Sequence, residues 1–178
     1  MNEIELKFAV KSFTGVREKL RKMRARLIWK GAEENFFFDT FRGDLRRKKM
    51  NLRLRRWAGH SNTLTLKAPA KSGTKKYKVR NEYQIEINDL RIAAEILQKL
   101  GFVEVLHYKK SREHWQFGGA YIELDMVGGE KFVEIESSKK GIDKFAKLFG
   151  LDFKKSTTEG YLAILNRLGS KDARVVYN

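Results

Sequence analysis

The sequence predicts an α+β fold in which eight antiparallel strands close into a β-barrel with a charged interior, flanked by amphipathic helices. Three observations predict it. Strand-like segments recur along most of the 178 residues. Within them ionisable side chains keep to one parity and aliphatic side chains to the other, as the two faces of a strand require. Between and after them, four stretches carry apolar residues at helical spacing. No repeat of roughly 20 to 50 residues and no linker interrupts the chain, so a single domain over 1–178 is expected.

Each element has its own local signal. Glu3, Glu5 and Lys7 alternate with Ile4, Leu6 and Phe8, which is a strand over 2–9. With Ser12 or Thr14 as N-cap, Val16, Leu20, Met23 and Leu27 recur as one helical face, so a helix is expected as far as Leu27. Strands follow at Asn35 to Thr40, Met50 to Trp57, Thr63 to Lys67 and Lys78 to Asn88, separated by turn-rich or basic loops. Asp89 caps a helix carrying Ile92, Ala93, Ile96, Leu97 and Leu100, which Gly101 ends. Further strands are expected at Val103 to Phe117, Ala120 to Val127 and Lys131 to Ser137, then helices at Ile142 to Phe149 and Thr158 to Leu168. The segment 169–178 is polar until Val175-Val176-Tyr177 and reads either as a loose tail or as a short edge segment.

Composition narrows the partner without naming it. Lys and Arg number 38 against 22 Asp and Glu, a formal charge of +16, so an anionic partner is expected. Nucleic acid, acidic membrane surface, nucleotide and polyphosphate all satisfy that balance. Zero cysteines exclude thiolate metal sites and thiol chemistry. With no signal segment and no apolar run long enough for a bilayer, the expectation is a cytoplasmic protein with no membrane partner.

The charged parity is also sorted by sign. Glu3 and Glu5, Glu123 and Asp125, and Glu134 and Glu136 are acidic pairs, whereas Arg53 and Arg55, and Lys110 and Arg112, are basic. Lys67 shares a face with Thr65, and Arg80 with Glu82, Gln84 and Glu86. Like charges two residues apart stand roughly 7 Å from each other and repel unless an opposite charge intervenes. A solvated outer face of an antiparallel sheet would also alternate, but it needs no such sorting. A divalent cation and a polyphosphate together would satisfy both sets. The apolar outer face would then need helices, and a second subunit in a homodimer, to cover it.

The sequence Glu3-Ile4-Glu5-Leu6-Lys7 resembles the ExExK signature of the CYTH family, the triphosphate tunnel metalloenzymes. Phe38-Asp39-Thr40, Leu52-Arg53-Leu54-Arg55, Leu64-Thr65-Leu66-Lys67, Arg80-Asn81-Glu82, Lys110-Ser111-Arg112, Asp125 and Phe132-Val133-Glu134-Ile135-Glu136 are similar to that family's later motifs, in the same order. Tyr161 resembles its C-terminal tyrosine. ExExK alone is a weak signal; the ordered set is strong. The resemblance implies an eight-stranded antiparallel tunnel and Mg²⁺ or Mn²⁺ as cofactor. It implies Glu3, Glu5, Asp125, Glu134 and Glu136 as metal ligands, and Lys7, Arg53, Arg55, Lys67, Arg80, Lys110 and Arg112 as triphosphate contacts. Glu82 would orient neighbouring arginines, and catalysis would fall to Glu3, Glu5, Lys67 and Glu134. Three departures stand out: Val127-Gly128-Gly129-Glu130-Lys131 in place of a Gly-Leu-Gly turn, Gly160 where a serine often precedes the tyrosine, and Phe37 and Phe38 where thiamine triphosphatases have tyrosines. The last removes a Lys–Tyr base dyad with Lys67.

Within the family the resemblance favours a CyaB-type class IV adenylyl cyclase, in which the ribose 3′-hydroxyl of ATP attacks the α-phosphorus and pyrophosphate leaves. The alternative is hydrolysis of inorganic, nucleoside or thiamine triphosphate. A reading of another class, a non-catalytic RNA- or polyphosphate-binding module, rests on the runs Arg46-Arg47-Lys48-Lys49 and Lys75-Lys76-Tyr77-Lys78 and on the basic first helix. It is disfavoured because base-reading motifs are absent. His60, His107 and His114 are too scattered to suggest a metal trio, and Trp57 is a candidate for flanking a tunnel mouth.

Overall fold

The computed structural model describes residues 2–70, 76–169 and 173–175. Its strands are β1 (Asn2–Val10), β2 (Arg26–Thr40), β3 (Asn51–Trp57), β4 (Ser61–Pro69), β5 (Lys78–Ile87), β6 (Phe102–Phe117), β7 (Ala120–Val127) and β8 (Glu130–Glu136). These eight run antiparallel in the cyclic order β1-β8-β7-β6-β2-β3-β4-β5, and β5 pairs back onto β1 to close the barrel. Two short strands are added outside the ring: β9 (Ser156–Thr157) on β1 and β10 (Ala173–Val175) on β6. Five α-helices are described: α1 (Thr14–Lys22), α2 (Asp44–Arg47), α3 (Leu90–Lys99), α4 (Lys139–Phe149) and α5 (Tyr161–Leu168).

Two of the three apolar clusters lie outside the barrel. Leu6, Phe8, Ile122, Leu124, Val133 and Ile135 point outward from β1, β7 and β8 and are covered by Val16 and Leu20 of α1 and by Ile142, Phe145 and Phe149 of α4. On the opposite wall Leu97 of α3 packs on Phe38, Leu52 and Leu54. A third cluster lies at one end of the barrel interior, where Tyr161, Ile164 and Leu165 of α5 pack against Leu106 and Phe132, on the strand faces that carry Lys110 and Glu134. With aliphatic side chains consumed on the outside, the alternate parity faces inward and brings the ionisable residues with it. On β5 the outer face is left bare, Tyr83 and Ile85 each being 60 % exposed. No described helix is long and apolar enough to cross a membrane.

Several boundaries differ from expectation. The first helix ends at Lys22, not Leu27, and Phe13 rather than Ser12 or Thr14 is its N-cap, with no side-chain capping bond. Its fourth expected apolar residue, Leu27, belongs to β2, which starts nine residues before the expected Asn35. Arg24 at φ 57 reverses the chain between them, and β2 then runs the length of β6. The basic loop after Thr40 contains α2, whose first N–H groups, those of Leu45 and Arg46, donate to the Asp39 carboxylate. The last helix starts at Tyr161 instead of Thr158. Of the tail, 173–175 pair with β6, whereas Val176 and Tyr177 lie outside the described residues.

The two glycine pairs form the hairpin turns. Val127 pairs with Glu130 and Phe117 with Ala120, so each loop is two residues long. Gly128 and Gly129 (φ 58 and 81) and Gly118 and Gly119 (φ 54 and 74) supply the positive dihedrals that such turns require. The turn that departs from the family's Gly-Leu-Gly is thus a tight hairpin that keeps β7 and β8 in register.

Phe8 is fully buried and meets Phe153 edge to face at 5.4 Å. Truncating Phe8 to alanine is expected to destabilise the fold by about 3–5 kcal/mol in urea denaturation while leaving the barrel circular-dichroism signature intact.

Candidate active site

The barrel encloses a cavity of about 760 Å³ whose walls differ in sign. Glu3 and Glu5 of β1, Glu82 and Glu86 of β5, Glu123 of β7, and Glu134 and Glu136 of β8 line one half. Arg53 and Arg55 of β3 and Lys110 and Arg112 of β6 line the other, and Lys7, Lys67 and Lys78 reach among the carboxylates.

The cationic wall is organised by two carboxylates that are 0 % exposed, Glu33 and Asp125. Glu33 Oε1 lies 3.5 Å from Arg55 Nε and 3.3 Å from Lys110 Nζ, and Glu33 Oε2 lies 3.6 Å from Arg112 Nε. It also accepts from Asn35 Nδ2 at 3.0 Å and from Trp57 Nε1 at 3.0 Å. Burial pushes the Glu33 carboxyl upward, but Arg55, Lys110 and Arg112 outweigh it and hold the group well below the usual carboxylate range. Asp125 accepts a bidentate pair from Arg112 at 2.7 and 2.6 Å, a bond from Lys110 at 2.9 Å, and one from the Tyr161 hydroxyl at 2.6 Å. Burial opposes ionisation here too, yet Arg112 and Lys110 bring Asp125 down to about 2.

Arg53 is less well matched. Its Nη1 reaches Asn35 Oδ1 at 3.4 Å, and its buried Nη2 has no hydrogen-bond partner. Burial, followed by repulsion from Arg55, lowers its pKa. Across the cavity the acidic wall is short of counter-charge. Lys7 bonds Glu5 at 2.6 Å and approaches Glu134 at 3.2 Å, Lys78 bonds Glu5 at 2.6 Å, and Lys67 lies 2.5 Å from Glu3 and 3.3 Å from Glu82. Glu3 Oε2, Glu123 Oε2 and Glu134 Oε2 are buried without a hydrogen-bond partner. Burial, reinforced by Glu5, pushes Glu3 up to about 7. Burial together with Glu123 and Glu3 pushes Glu136 up to about 8, and burial with Glu5 raises Glu134.

Most of the residues singled out in the sequence thus share one cavity: Glu3, Glu5, Lys7, Arg53, Arg55, Lys67, Glu82, Lys110, Arg112, Glu134 and Glu136. Two do not line it. Arg80, paired with Glu3 of β1 and Pro69 of β4, lines a smaller neighbouring pocket and donates to the Lys49 carbonyl at 2.8 Å. Asp125 is on the inward face of β7 but is covered by its partners, with both oxygens engaged by Arg112, Lys110 and Tyr161. Glu82 approaches Lys67 rather than standing among arginines alone. Sequence reasoning missed Glu33 and Asn35, which fell outside the expected strand or at its first residue, and it left Glu123 and Lys78 unassigned although both share parity with assigned neighbours.

Among the described residues no three acidic or histidine groups already stand in a metal-binding cluster, because lysines occupy the gaps between them. The donor set nevertheless fits a hard cation: it is all oxygen, and three of its buried oxygens lack a hydrogen-bond partner.

A family model described as the CYTH domain matches residues 1–163. The chain belongs to the CYTH family. CYTH proteins are tunnel enzymes that work with a divalent metal, which accords with the oxygen-only acidic wall. The chain is 31 % identical over 149 residues to a Methanocaldococcus jannaschii protein named "Putative adenylate cyclase MJ0240", spanning 83 % of each. Among solved structures, the PH1819 protein of Pyrococcus horikoshii is 31 % identical with a TM-score of 0.73, covering 93 % of this chain and 98 % of that one. A Vibrio parahaemolyticus structure described as a putative adenylate cyclase shares the fold at TM-score 0.80 and 21 % identity, over 92 % and 97 % of the two chains. A Hippeastrum structure described as a putative adenylyl cyclase with a dominant triphosphatase activity shares it at 0.67 and 23 %, over 94 % and 96 %.

Replacing Glu33 by glutamine removes the charge that Arg55, Lys110 and Arg112 share. The variant is expected to lose on the order of 3 kcal/mol of stability at pH 7 in denaturant titrations. Because the folded pKa of Glu33 is depressed, its contribution is fully present above the unfolded value of about 4.3 and is lost as pH falls through the lower folded value. The gap between wild type and variant should therefore hold from about pH 5 to 8 and close only in more acid solution.

Proposed function

We propose that this CYTH protein binds the triphosphate of ATP together with a divalent metal inside the tunnel and converts ATP into cyclic AMP and pyrophosphate, the class IV adenylyl cyclase reaction. The observation that carries the reading is the opposition of two under-partnered charge sets across one cavity. Arg53 Nη2 lacks a hydrogen-bond partner on the basic wall, while Glu3 Oε2, Glu123 Oε2 and Glu134 Oε2 lack one on the acidic wall, Glu134 Oε2 having only ion-pair approaches from Lys7 and Arg112. A triphosphate answers the first set and a hard cation the second.

In this reading Glu3, Glu123, Glu134 and Glu136, with Glu5 beside them, hold Mg²⁺ or Mn²⁺, which supplies charge neutralisation on the phosphate oxygens. Arg53 and Arg55 take phosphate oxygens as forked donors, with Lys110 and Arg112 alongside. Lys7 and Lys67 bridge the two walls. Glu33 and Asp125 act through the cations they fix, so Asp125 is a positioning residue instead of a metal ligand, and Arg80 serves the rim. Cyclisation forms the bond from the 3′-oxygen to the α-phosphorus and breaks the bond from the α-phosphorus to the bridging oxygen of the departing pyrophosphate. The hydroxyl proton passes to a carboxylate of the acidic wall. The Methanocaldococcus relative's name supports the cyclase assignment.

Hydrolysis of triphosphates stands as the second reading for a specific reason: the charged lining addresses only the phosphates, although Phe37 and Phe38, which offer Lys67 no phenol, count against thiamine triphosphate as its substrate. Incubation with ATP, tripolyphosphate or thiamine triphosphate and either metal, followed by product identification, separates the two. Cyclic AMP with pyrophosphate supports cyclisation, whereas orthophosphate as the sole product refutes it. Glu5→Ala and Arg55→Ala should each lower turnover by at least about a hundredfold, and full activity in both variants would overturn the site.

Metal binding should also be linked to protons. Raised Glu3 and Glu136 carry protons at neutral pH that a cation must displace. Apparent Mg²⁺ or Mn²⁺ affinity is therefore expected to rise between pH 6 and about pH 8.5. Calorimetry in buffers of different ionisation enthalpy should register proton release, and a pH-independent affinity would contradict the assignment.

A further inference from the structure

One end of the tunnel is built from aromatic rings that the triphosphate seat does not use. Trp57, His60, His114 and Tyr121 all line the cavity there. Trp57 stacks on Trp29 (centroids 5.1 Å apart, planes at 11°) and on His60 (5.6 Å, 14°), and His114 stacks on Tyr121 (4.9 Å, 18°). Trp57 and His114 meet at 5.1 Å.

This arrangement is held in place from behind. A Cβ on Gly31 would stand 2.7 Å from Cζ2 of Trp29, so the chain has no side chain where that indole lies flat. Trp29 Nε1 donates to the Ala58 carbonyl at 3.3 Å, and Trp57 Nε1 donates to Glu33, the carboxylate that also fixes Arg55, Lys110 and Arg112. Core packing alone does not explain the rings, because His60 is exposed and Tyr121 is 38 % exposed at the rim. Just inside, the Thr63 hydroxyl is buried with no hydrogen-bond partner, on the strand row that it shares with Arg55 and Glu86.

We propose that this aromatic mouth seats the planar base of a nucleoside triphosphate, with the Thr63 hydroxyl facing the sugar and the phosphates running inward over Arg55 and Arg53. The inference rests on the triphosphate seat proposed above and deepens it: the tunnel selects nucleoside triphosphates over inorganic tripolyphosphate. Steps of two residues along β3, roughly 7 Å each, carry the ligand from Trp57 to Arg55 and then to Arg53. Ring faces bind any base, so the mouth confers a requirement for a base and little choice among bases.

Equilibrium binding of ATP and of tripolyphosphate, each with Ca²⁺, tests this by calorimetry. The double variant His60→Ala/Tyr121→Ala, whose changed side chains are outside the Glu33 cluster, should weaken ATP roughly 5- to 100-fold and tripolyphosphate less than twofold. Tyr121→Phe should restore the ring's share. Trp57→Phe keeps a ring but drops the bond to Glu33, and should weaken both ligands alike. Equal effects of the double variant on both ligands, or wild-type protein binding tripolyphosphate as tightly as ATP, would overturn the base seat while leaving the triphosphate seat standing. If wild-type protein binds neither ligand, the triphosphate seat itself fails.

Discussion

Charge of both signs is confined here in a space that the chain has walled off with its own apolar exterior. A buried ion is tolerated only when paired and hydrogen-bonded, because the desolvation penalty otherwise exceeds what neighbours return. The two walls meet that demand unequally. On the basic side Glu33 and Asp125 each serve several cations at once, and both are held ionised by them. On the acidic side three lysines, with Arg112 reaching Glu123 and Glu134 at 3.5 Å, are spread over seven carboxylates, and Glu3, Glu134 and Glu136 answer with raised pKa values. Protonation relieves the shortage in the absence of a guest. A cation relieves it better and adds a charge that a triphosphate can share, so the two guests favour each other's binding.

Apolar packing at one end of the barrel and charge placement along its interior are joined at Tyr161. Its ring belongs to the apolar cluster with Leu106, Phe132, Ile164 and Leu165, while its hydroxyl donates to Asp125. Lys110 Nζ lies 4.4 Å from that ring's centroid and Lys7 Nζ 5.1 Å. Docking of α5 therefore fixes a carboxylate and two ammonium groups in one step. Gly160 at the N-cap brings no side-chain bond of its own, so the serine often found there is not needed to place the tyrosine.

Strand parity made the charged face legible in the sequence, since the period of two is strict and the sign sorting is hard to explain on a solvated surface. It could not say which groups partner one another. Asp125 has the parity and charge of a metal ligand, and the structure adds that both its oxygens accept from Arg112, Lys110 and Tyr161, reached from β6 and α5. Glu33 was hidden because Leu27 continues the apolar spacing of α1, and the reversal at Arg24 leaves no glycine or proline to mark the boundary. Arg80 kept its parity yet left the cavity, because near a strand end a long side chain can reach a carbonyl over the rim.

Far more positive charge lies outside the tunnel than inside it. The runs after Thr40 and before Lys78 read as a nucleic-acid track in sequence, but Arg46 and Lys78 turn into the cavity, and Arg47 is spent on α2, where it pairs with Asp44. What remains is a cationic exterior of a chain at +16 surrounding a near-balanced interior. Such a field draws polyanions towards the openings over about a Debye length and speeds capture without choosing among them. In the proposed reading choice belongs to the interior, where the unpartnered Arg53 Nη2 answers a phosphate and the acidic wall a cation.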